Sequence, residues 1–369
     1  MLWSRSLRLL RKDSGQARMT KRGRMTSKKK FRERFWEMVE EAENIVITGH
    51  VGPDDDSIAS MLAVYRLLAE KYPDKEIEII CTGKSINAFE SFENFKKIQF
   101  VSDIVEVVKK GCLLIVCDGS QFDRFSFDPK KLRGLVGKTI CIDHHSSPVD
   151  RFDLTLVDPL ASSCAEIIYL LFHKDVKMDK KLAEIFLLGI LGDTGNFAYL
   201  KPYQTKTLSI AKKLIEIGEI EIQEFQSRYR SISIRVFVLI QELIKNTEYH
   251  KVDGWPSYQT SYLTHGFKNL EKYTSNEVSE ASHIYMTHYL RMIEDHPWGF
   301  VITPQDNGVC GISLRSLPKN VSVRDLAERM SLGGGHDRAA GGTFEEKVRV
   351  EKCLKKMHEW IEKNYPVLG

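Results

Sequence analysis

Four stretches of this chain place carboxylates and imidazoles directly after an apolar run. They are His50-Val-Gly-Pro-Asp54-Asp55-Asp56, the lone Asp118, Asp143-His144-His145, and Asp193-Thr-Gly195. Five carboxylates (Asp54, Asp56, Asp118, Asp143, Asp193) and three imidazoles cannot share one crevice as bare charges. Like charges at close range raise pKa values or recruit a cation. Oxygen donors with a few imidazoles and no thiolate suit Mn²⁺ or Mg²⁺ better than a structural zinc. A set of this size suits two ions ~3.5–4 Å apart, which stabilise both oxygens of an in-line phosphoryl displacement. One acid must then bridge, and Asp118, alone at the tip of its strand, is the best placed.

The elements that must position these groups alternate along the chain. Asn44–Thr48, Glu76–Cys81, Cys112–Cys117 and Thr139–Ile142 are short β-branched runs, and helical patterns separate them, the first from about Ser57 to Lys71. This alternation predicts a doubly wound, mostly parallel α/β sheet with helices on both faces. In such a sheet the strands' carboxyl ends share one edge, and ligands bind there. Groups some 140 residues apart in sequence can therefore converge. From about Leu182 to Lys245 the pattern is helical. Beyond Gly254 it becomes a smaller α/β pattern: Gly299–Thr303 and Gly308–Leu314 as strands, a helix near Val323–Met330, a glycine-rich loop, and a last helix over Lys347–Lys363. The expected division is a leader at 1–30, a first domain at 31–200, a helical linker at 201–245 and a second domain at 246–369.

Each stretch alone has a plain structural explanation. An Asp at a strand end commonly caps the next helix, and Asp54 and Asp56 stand where a cap belongs. The set of four is harder to explain that way. It resembles the DHH phosphoesterase family: His50-x-x-Pro53-Asp54-x-Asp56-Ser57-Ile58-Ala59-Ser60, Asp118, Asp143-His144-His145 and Asp193-Thr194-Gly195-x-Phe197 follow its four motifs. Ser313-Leu314-Arg315-Ser316 and Gly333-Gly334-Gly335-His336-Asp337-Arg338-Ala339-Ala340-Gly341-Gly342 resemble that family's associated C-terminal domain. Within the family the chain looks most like the oligoribonucleases of very short RNA that also act on 3′-phosphoadenosine 5′-phosphate (pAp).

The resemblance implies that His50 and Asp54 hold one Mn²⁺, that Asp56, His144 and Asp193 hold a second, and that Asp118 bridges them. Mg²⁺ is the other ion such a site takes. It implies that His145 faces the scissile phosphate and that Asp143 orients a histidine. Two positions depart from the family's usual residues: Gly52 stands in place of Asn, and Asp55 in place of Gly. Asp tolerates a left-handed backbone better than most residues, so the loop is expected to form. A third carboxylate beside the site is expected to shift metal affinity or pH optimum.

The second half carries the expected substrate contacts. Gly333, Gly334, Gly335 and His336 offer backbone N–H groups free of side chains, as an anion cradle requires. A tight turn before a strand would use the same glycines for their backbone freedom alone. Arg315 has a donor fork suited to a phosphate, Arg338 lies in the same loop as His336, and Arg124 follows Asp118 by six residues. Ser163-Cys-Ala-Glu166 reads as a capping box. If one domain holds metals and the other grips substrate across a cleft, short substrates of a few nucleotides are favoured.

Charge supports that limit. Of 54 basic and 50 acidic residues, eleven basic residues and one acid fall in residues 1–30, so the remainder carries 43 basic against 49 acidic. A protein that coats long nucleic acid with a uniformly basic surface is excluded. The leader reads as a disordered tail, an over-extended start before Met19 or Met25, a polybasic contact, or a mitochondrial-type transit peptide. The location expected is cytoplasmic, or mitochondrial if residues 1–24 are such a peptide. Seven cysteines without a CxxC pair indicate buried reduced thiols. No apolar run approaches the ~18 residues of a membrane span. The expected partners are short RNA or DNA oligonucleotides or pAp, with no membrane and no long nucleic acid, and a homodimer is compatible with the sequence. Competing readings are a cyclic-dinucleotide phosphodiesterase, a single-strand exonuclease (which should carry further domains), a pyrophosphatase, and a phosphate-binding protein that has lost its ligands.

Overall fold

The computed structural model describes residues 21–83, 87–146, 148–264, 270–290, 292–305, 308–344, 347–364 and 367–368. The chain divides into two compact units, Met1–Ser231 and Ile232–Gly369. Most of the leader, residues 1–20, lies outside the described residues, so the targeting reading does too. Helix α1 (Lys21–Glu41) starts inside the leader, ten residues before the expected domain start. Lys28 on α1 pairs with Asp158 at 2.9 Å.

The first unit continues with β1 (Asn44–Thr48), α2 (Asp55–Lys71), β2 (Glu76–Thr82), β3 (Ile98–Val101), β4 (Leu113–Cys117), α3 (Pro129–Leu135), β5 (Lys138–Asp143), β6 (Leu154–Val157), α4 (Cys164–Phe172), α5 (Lys180–Asp193), α6 (Thr205–Gly218) and α7 (Ile222–Arg230). The six strands form one parallel sheet in the order β3-β2-β1-β4-β5-β6. Its strands alternate between two buried faces, as a doubly covered sheet demands. Ile45, Ile47, Leu113, Ile115 and Cys117 join the core under α1, α2, α4 and α5. Val46, Leu114 and Val116 face the other way, toward Phe122, Phe125 and Leu132. The strand order reverses between β1 and β4, and the crevice outside the carboxyl ends there is where such sheets bind ligands.

The second unit contains α8 (Ile234–Lys245), β7 (Glu248–Val252), β8 (Trp255–Tyr262), α9 (Ser275–His288), β9 (Trp298–Pro304), β10 (Cys310–Ser316), α10 (Val323–Arg329), β11 (Gly333–His336), β12 (Ala339–Thr343) and α11 (Val350–Asn364). Its sheet runs β11-β12-β10-β9-β8-β7, antiparallel except for the β8–β9 pair. Phe300, Ile312 and Leu314 pack on one face with residues of α10 and α11. Val301 packs on the other face with residues of α8 and α9. The stretch expected as a linker is helical but divided: α6 and α7 fall in the first unit and α8 in the second. All seven cysteines are buried and none forms a disulfide.

Candidate metal centre

The crevice at the end of β1, β4 and β5 gathers the first-half residues singled out in the sequence. His50 follows β1, Asp118 follows β4, and Asp143 ends β5 with His144 and His145 next. Asp54 caps α2, accepting from the amides of Asp56 and Ser57 at 3.1 and 3.0 Å. It is therefore both the cap that simple helix chemistry predicts and a neighbour of His50, 3.7 Å from its Nε2. Asp56 sits in the first turn of α2, and Asp193 is the last residue of α5.

Asp118 is at the centre. One carboxylate oxygen, Oδ2, lies 3.5 Å from His50 Nε2, and the other, Oδ1, lies 3.6 Å from His144 Nε2. Its side chain is buried and its backbone is left-handed, φ 60°. A non-glycine residue pays for that conformation, and such strain collects at functional sites. Three ligand-type groups overlap there, each with its donor atoms within 4.8 Å of one another: His50, Asp54 and Asp118; Asp118, His144 and His145; and Asp56, His144 and Asp193.

Backbone and helix ends hold the individual donors. His50 Nδ1 bonds the carbonyl of Val51 at 3.0 Å, which leaves Nε2 for the crevice. Asp56 accepts from the amides of Cys164 and Ala165 at 2.6 and 2.9 Å, the first N–H groups of α4. Ser163 caps that helix, accepting from the Glu166 amide at 3.0 Å, but the expected box is half formed, because the Glu166 carboxylate accepts from Ser162 and Thr207 instead. Asp143 Oδ1 accepts from the amides of His144 and His145 at 2.7 and 3.1 Å and meets His145 Nδ1 at 2.8 Å. Asp143 thus shapes the turn and fixes the ring of His145.

The electrostatics call for a cation. Burial, with Asp193, Asp118 and Asp54 close by, pushes the Asp56 carboxyl well above its ordinary range. Burial also raises Asp193, against the pull of His144. Asp193 stands at a helix C-terminus, the end that repels a carboxylate and favours a positive charge. Burial lowers the imidazole of His50, yet Asp118 and Asp54 raise it to about 10. For His144 burial is likewise outweighed by Asp193, and it rises to about 9. Desolvation works against Asp143, but the hydrogen bond and charge of His145 hold it below the usual carboxylate range. Among the described residues, Asp118 Oδ1, His144 Nε2 and Asp193 Oδ2 are buried without a well-formed hydrogen bond, and the last two face each other at 2.8 Å. Orphaned donors of mixed oxygen and imidazole type, facing one another, fit a divalent ion.

The two departures from the family's usual residues exchange roles. The left-handed residue is Gly52, φ 64°, where Gly and Asn are the favoured side chains. Asp55 lies in the first helical turn of α2 and needs no such tolerance. Burial and Asp54 raise its carboxyl to about 7. Sequence reading missed the two glycines that admit α5 to the crevice. A Cβ at Gly189 would lie 2.6 Å from Ala165 Cβ and 2.7 Å from Asp56 Oδ1, and one at Gly192 would lie 2.4 Å from Asp55 Cβ. The available signal was the i, i+3 spacing of small residues just before Asp193.

The substrate candidates are differently placed. Arg124 is exposed, and its carbonyl accepts from Val51 N at 2.7 Å, which sets it beside His50. In the second unit the expected glycine loop is an edge strand, β11, paired to β12. Gly333 and Gly335 are there for close backbone packing. Added Cβ atoms would meet Gly341 O at 2.3 Å and Ala339 O at 2.6 Å, and both have positive φ. A Cβ added at Gly334 would meet nothing closer than Glu328 Oε1 at 3.9 Å. His336 pairs with Ala339, which pairs with Arg315 of β10, so the register aligns these positions across three strands. Arg315 Nη1 bonds Leu314 O at 2.9 Å. Arg338 Nη1 bonds the carbonyls of Asn320 and Val321 at 3.0 and 3.2 Å, a structural engagement of its guanidinium.

Known proteins share this design. The DHH family, N-terminal domain, matches residues 44–190, and the DHHA1 domain matches residues 262–363. The chain belongs to the DHH phosphoesterase family and is a hydrolytic enzyme. It is 29% identical over 317 residues to the bifunctional oligoribonuclease and PAP phosphatase of Bacillus subtilis, spanning 85% of this chain and 93% of that one. It is 27% identical over 321 residues to the cyclic-di-AMP phosphodiesterase of Listeria monocytogenes, 81% of this chain but 44% of that one. An exopolyphosphatase-related protein from Bacteroides fragilis shares the fold, with a TM-score of 0.78 at 23% identity over 91% of this chain and 96% of that one. No described helix is long and apolar enough to cross a membrane.

Proposed function

We propose that this chain uses two Mn²⁺ ions to hydrolyse short oligonucleotides to nucleoside monophosphates and pAp to AMP. The observation that carries the reading is the divided carboxylate of Asp118, with one oxygen toward His50 and the other toward His144. In this reading His50 and Asp54 hold one ion, Asp56, His144 and Asp193 hold the other, and Asp118 bridges. Mg²⁺ suits the same donors. Such ions supply the charge that makes water nucleophilic at neutral pH and offsets the phosphate oxygens.

The chain's own groups do the rest. His145, fixed through Nδ1 by Asp143, presents Nε2 to the phosphate and delivers a proton to the leaving oxygen. Asp56, held by the α4 amides, cannot swing away from its ligand position. Arg124 contacts a phosphate from the loop after β4. Arg315, Gly333, Gly334, Gly335, His336 and Arg338 are the substrate contacts proposed for the second unit, Arg338 from a guanidinium that also bonds the carbonyls of Asn320 and Val321. The acidic body favours substrates of a few nucleotides over long strands. The oligoribonuclease and PAP phosphatase activity of the Bacillus subtilis relative supports this substrate class, and the cyclic-di-AMP phosphodiesterase activity of the Listeria monocytogenes relative supports a dinucleotide substrate.

The test is one assay series with Mn²⁺ on pAp, pApA, a five-nucleotide RNA, cyclic di-AMP, pyrophosphate and long single-stranded DNA, with Asp118→Ala as control. Turnover of pAp and the short oligomers is expected, and a chain lacking residues 1–24 should match it. Activity confined to cyclic di-AMP, pyrophosphate or long DNA would replace the substrate assignment. No turnover of any phosphoester would remove it.

A further inference from the structure

The second unit holds a cluster of ligating side chains that the proposed hydrolysis does not use. Glu248 and His250 stand two residues apart on β7, so they share one face of the sheet. Antiparallel pairing sets them opposite Thr260 and Tyr258. Tyr258 belongs to the core that includes Met357 and Ile361 of α11, and His358 of α11 reaches the same place. One Glu248 oxygen and one nitrogen from each imidazole lie within 4.8 Å of one another. The rings of His250 and His358 are 4.3 Å apart between centroids, and His250 Nε2 is 3.7 Å from Glu248 Oε2.

Neighbours fix both rings. The Tyr258 hydroxyl is 2.7 Å from His358 Nδ1, and the Tyr258 ring stacks on His250 at 4.8 Å. Thr260 Oγ1 lies 3.1 Å from His250 Nε2. A polar partner on one ring nitrogen is how a ligating histidine is oriented, as the Tyr258 hydroxyl does at Nδ1 of His358; at His250 the Thr260 hydroxyl meets the same Nε2 that faces Glu248, so an ion there replaces that hydrogen bond. Burial holds both imidazoles below their ordinary pKa, with His358 adding to the effect on His250.

We propose that Glu248, His250 and His358 form a binding site for a divalent transition ion of the zinc class, separate from the centre in the first unit. Two imidazoles and one carboxylate select Zn²⁺, Co²⁺ or Ni²⁺ over Mg²⁺ or Mn²⁺, whose preferred donors are oxygens. Three protein ligands leave a further position to solvent, and Glu248, with 49% of its side chain exposed, stands on that side. The ion joins β7, the outermost strand of the sheet, to α11. The β7–β8 register shifts between His250 and Val252, a local irregularity of the kind that re-aims a strand's side chains.

The experiment is a titration of the full chain with Co²⁺, followed by visible absorption, and with Zn²⁺ by equilibrium dialysis. The unsubstituted chain is expected to bind one equivalent more than a His250→Gln/His358→Gln variant, which keeps its phosphoesterase activity. Asp118→Ala is expected to retain that equivalent. Glu248→Gln, a change at a half-exposed side chain that leaves the core intact, is expected to weaken it by about tenfold. Equal stoichiometry in the unsubstituted and double-substituted chains overturns the proposal. So does an extra equivalent that Asp118→Ala removes and the double variant keeps. Should the double variant fail to fold, unchanged affinity in Glu248→Gln overturns it equally.

Discussion

At the carboxyl edge of the parallel sheet, Asp118 sits buried in a left-handed backbone, with one oxygen that accepts no hydrogen bond from the described residues. At the outer edge of the second sheet, Gly333 and Gly335 also have positive φ, but their conformation lets two strands close on each other. The first region concentrates charge in side chains and leaves donors unsatisfied. The second removes side chains and satisfies its backbone by pairing. Strain and unmet polarity mark a place that waits for a ligand. Glycine with positive φ does not mark one by itself, because close packing demands the same residue.

The largest expected effect falls on the first region. Asp118→Asn keeps the shape but removes the charge that faces both histidines. Hydrolysis should fall on the order of 10³-fold or more, the scale of several kcal/mol of lost electrostatic stabilisation. The rise in melting temperature caused by Mn²⁺ should shrink with it. A variant that keeps both would break the contrast, because Asp118 would then be an ordinary strained turn residue.

Proton competition gives the next effect. Without metal, His50 and His144 titrate near 10 and 9, so both carry protons at pH 7 that an ion must displace. Affinity therefore falls as pH falls, by about tenfold per pH unit for each displaced proton. Mn²⁺ calorimetry in buffers of different ionisation enthalpy should show proton release at pH 7. The release should vanish above pH 10. Uptake instead of release would contradict the charge pattern drawn above.

Much of this edge was legible in the sequence, for a physical reason. A parallel strand buried on both faces must be a short apolar run, and its end must turn. Asn44–Thr48 therefore stands out, as do the runs before Asp118 and Asp143. Strands β3 and β6 escaped notice because they are four-residue edge strands, only partly buried, with little periodicity to detect. Gly189 and Gly192 escaped because their role is a helix crossing, and the i, i+3 spacing of small residues that marks them does not say which element crosses there. The GGGH segment was read as a loop because glycine has no strand propensity. Its pairing with Gly341 and Gly342 comes from the partner strand.

Asp143 offers a smaller and sharper test within the charged region. Its hydrogen bond to His145 opposes the lowering by burial and raises that imidazole. Asp143→Asn should lower hydrolysis by about 10–100-fold while Mn²⁺ stoichiometry stays unchanged. If His145 donates a proton, activity is lost as pH rises through its pKa. Removing the carboxylate lowers that pKa, so the alkaline limb should move to lower pH. An unmoved limb would leave Asp143 with a role in shaping the turn alone.

The smallest effect separates packing from binding in the second region. Gly335→Ala drives a Cβ to 2.6 Å from Ala339 O at φ 146°, so it should cost about 1–3 kcal/mol and loosen β11 from β12. Gly334→Ala meets nothing closer than Glu328 Oε1 at 3.9 Å, so its stability cost should stay within about 0.5 kcal/mol. Gly334 is thus the glycine that packing does not explain. If the β11 backbone contacts substrate there, Gly334→Ala should raise KM severalfold with kcat nearly constant, the pattern of lost uniform binding. If KM stays fixed while Gly335→Ala unfolds the edge, the glycines serve the strand pair alone, and the substrate contact proposed at Gly334 falls.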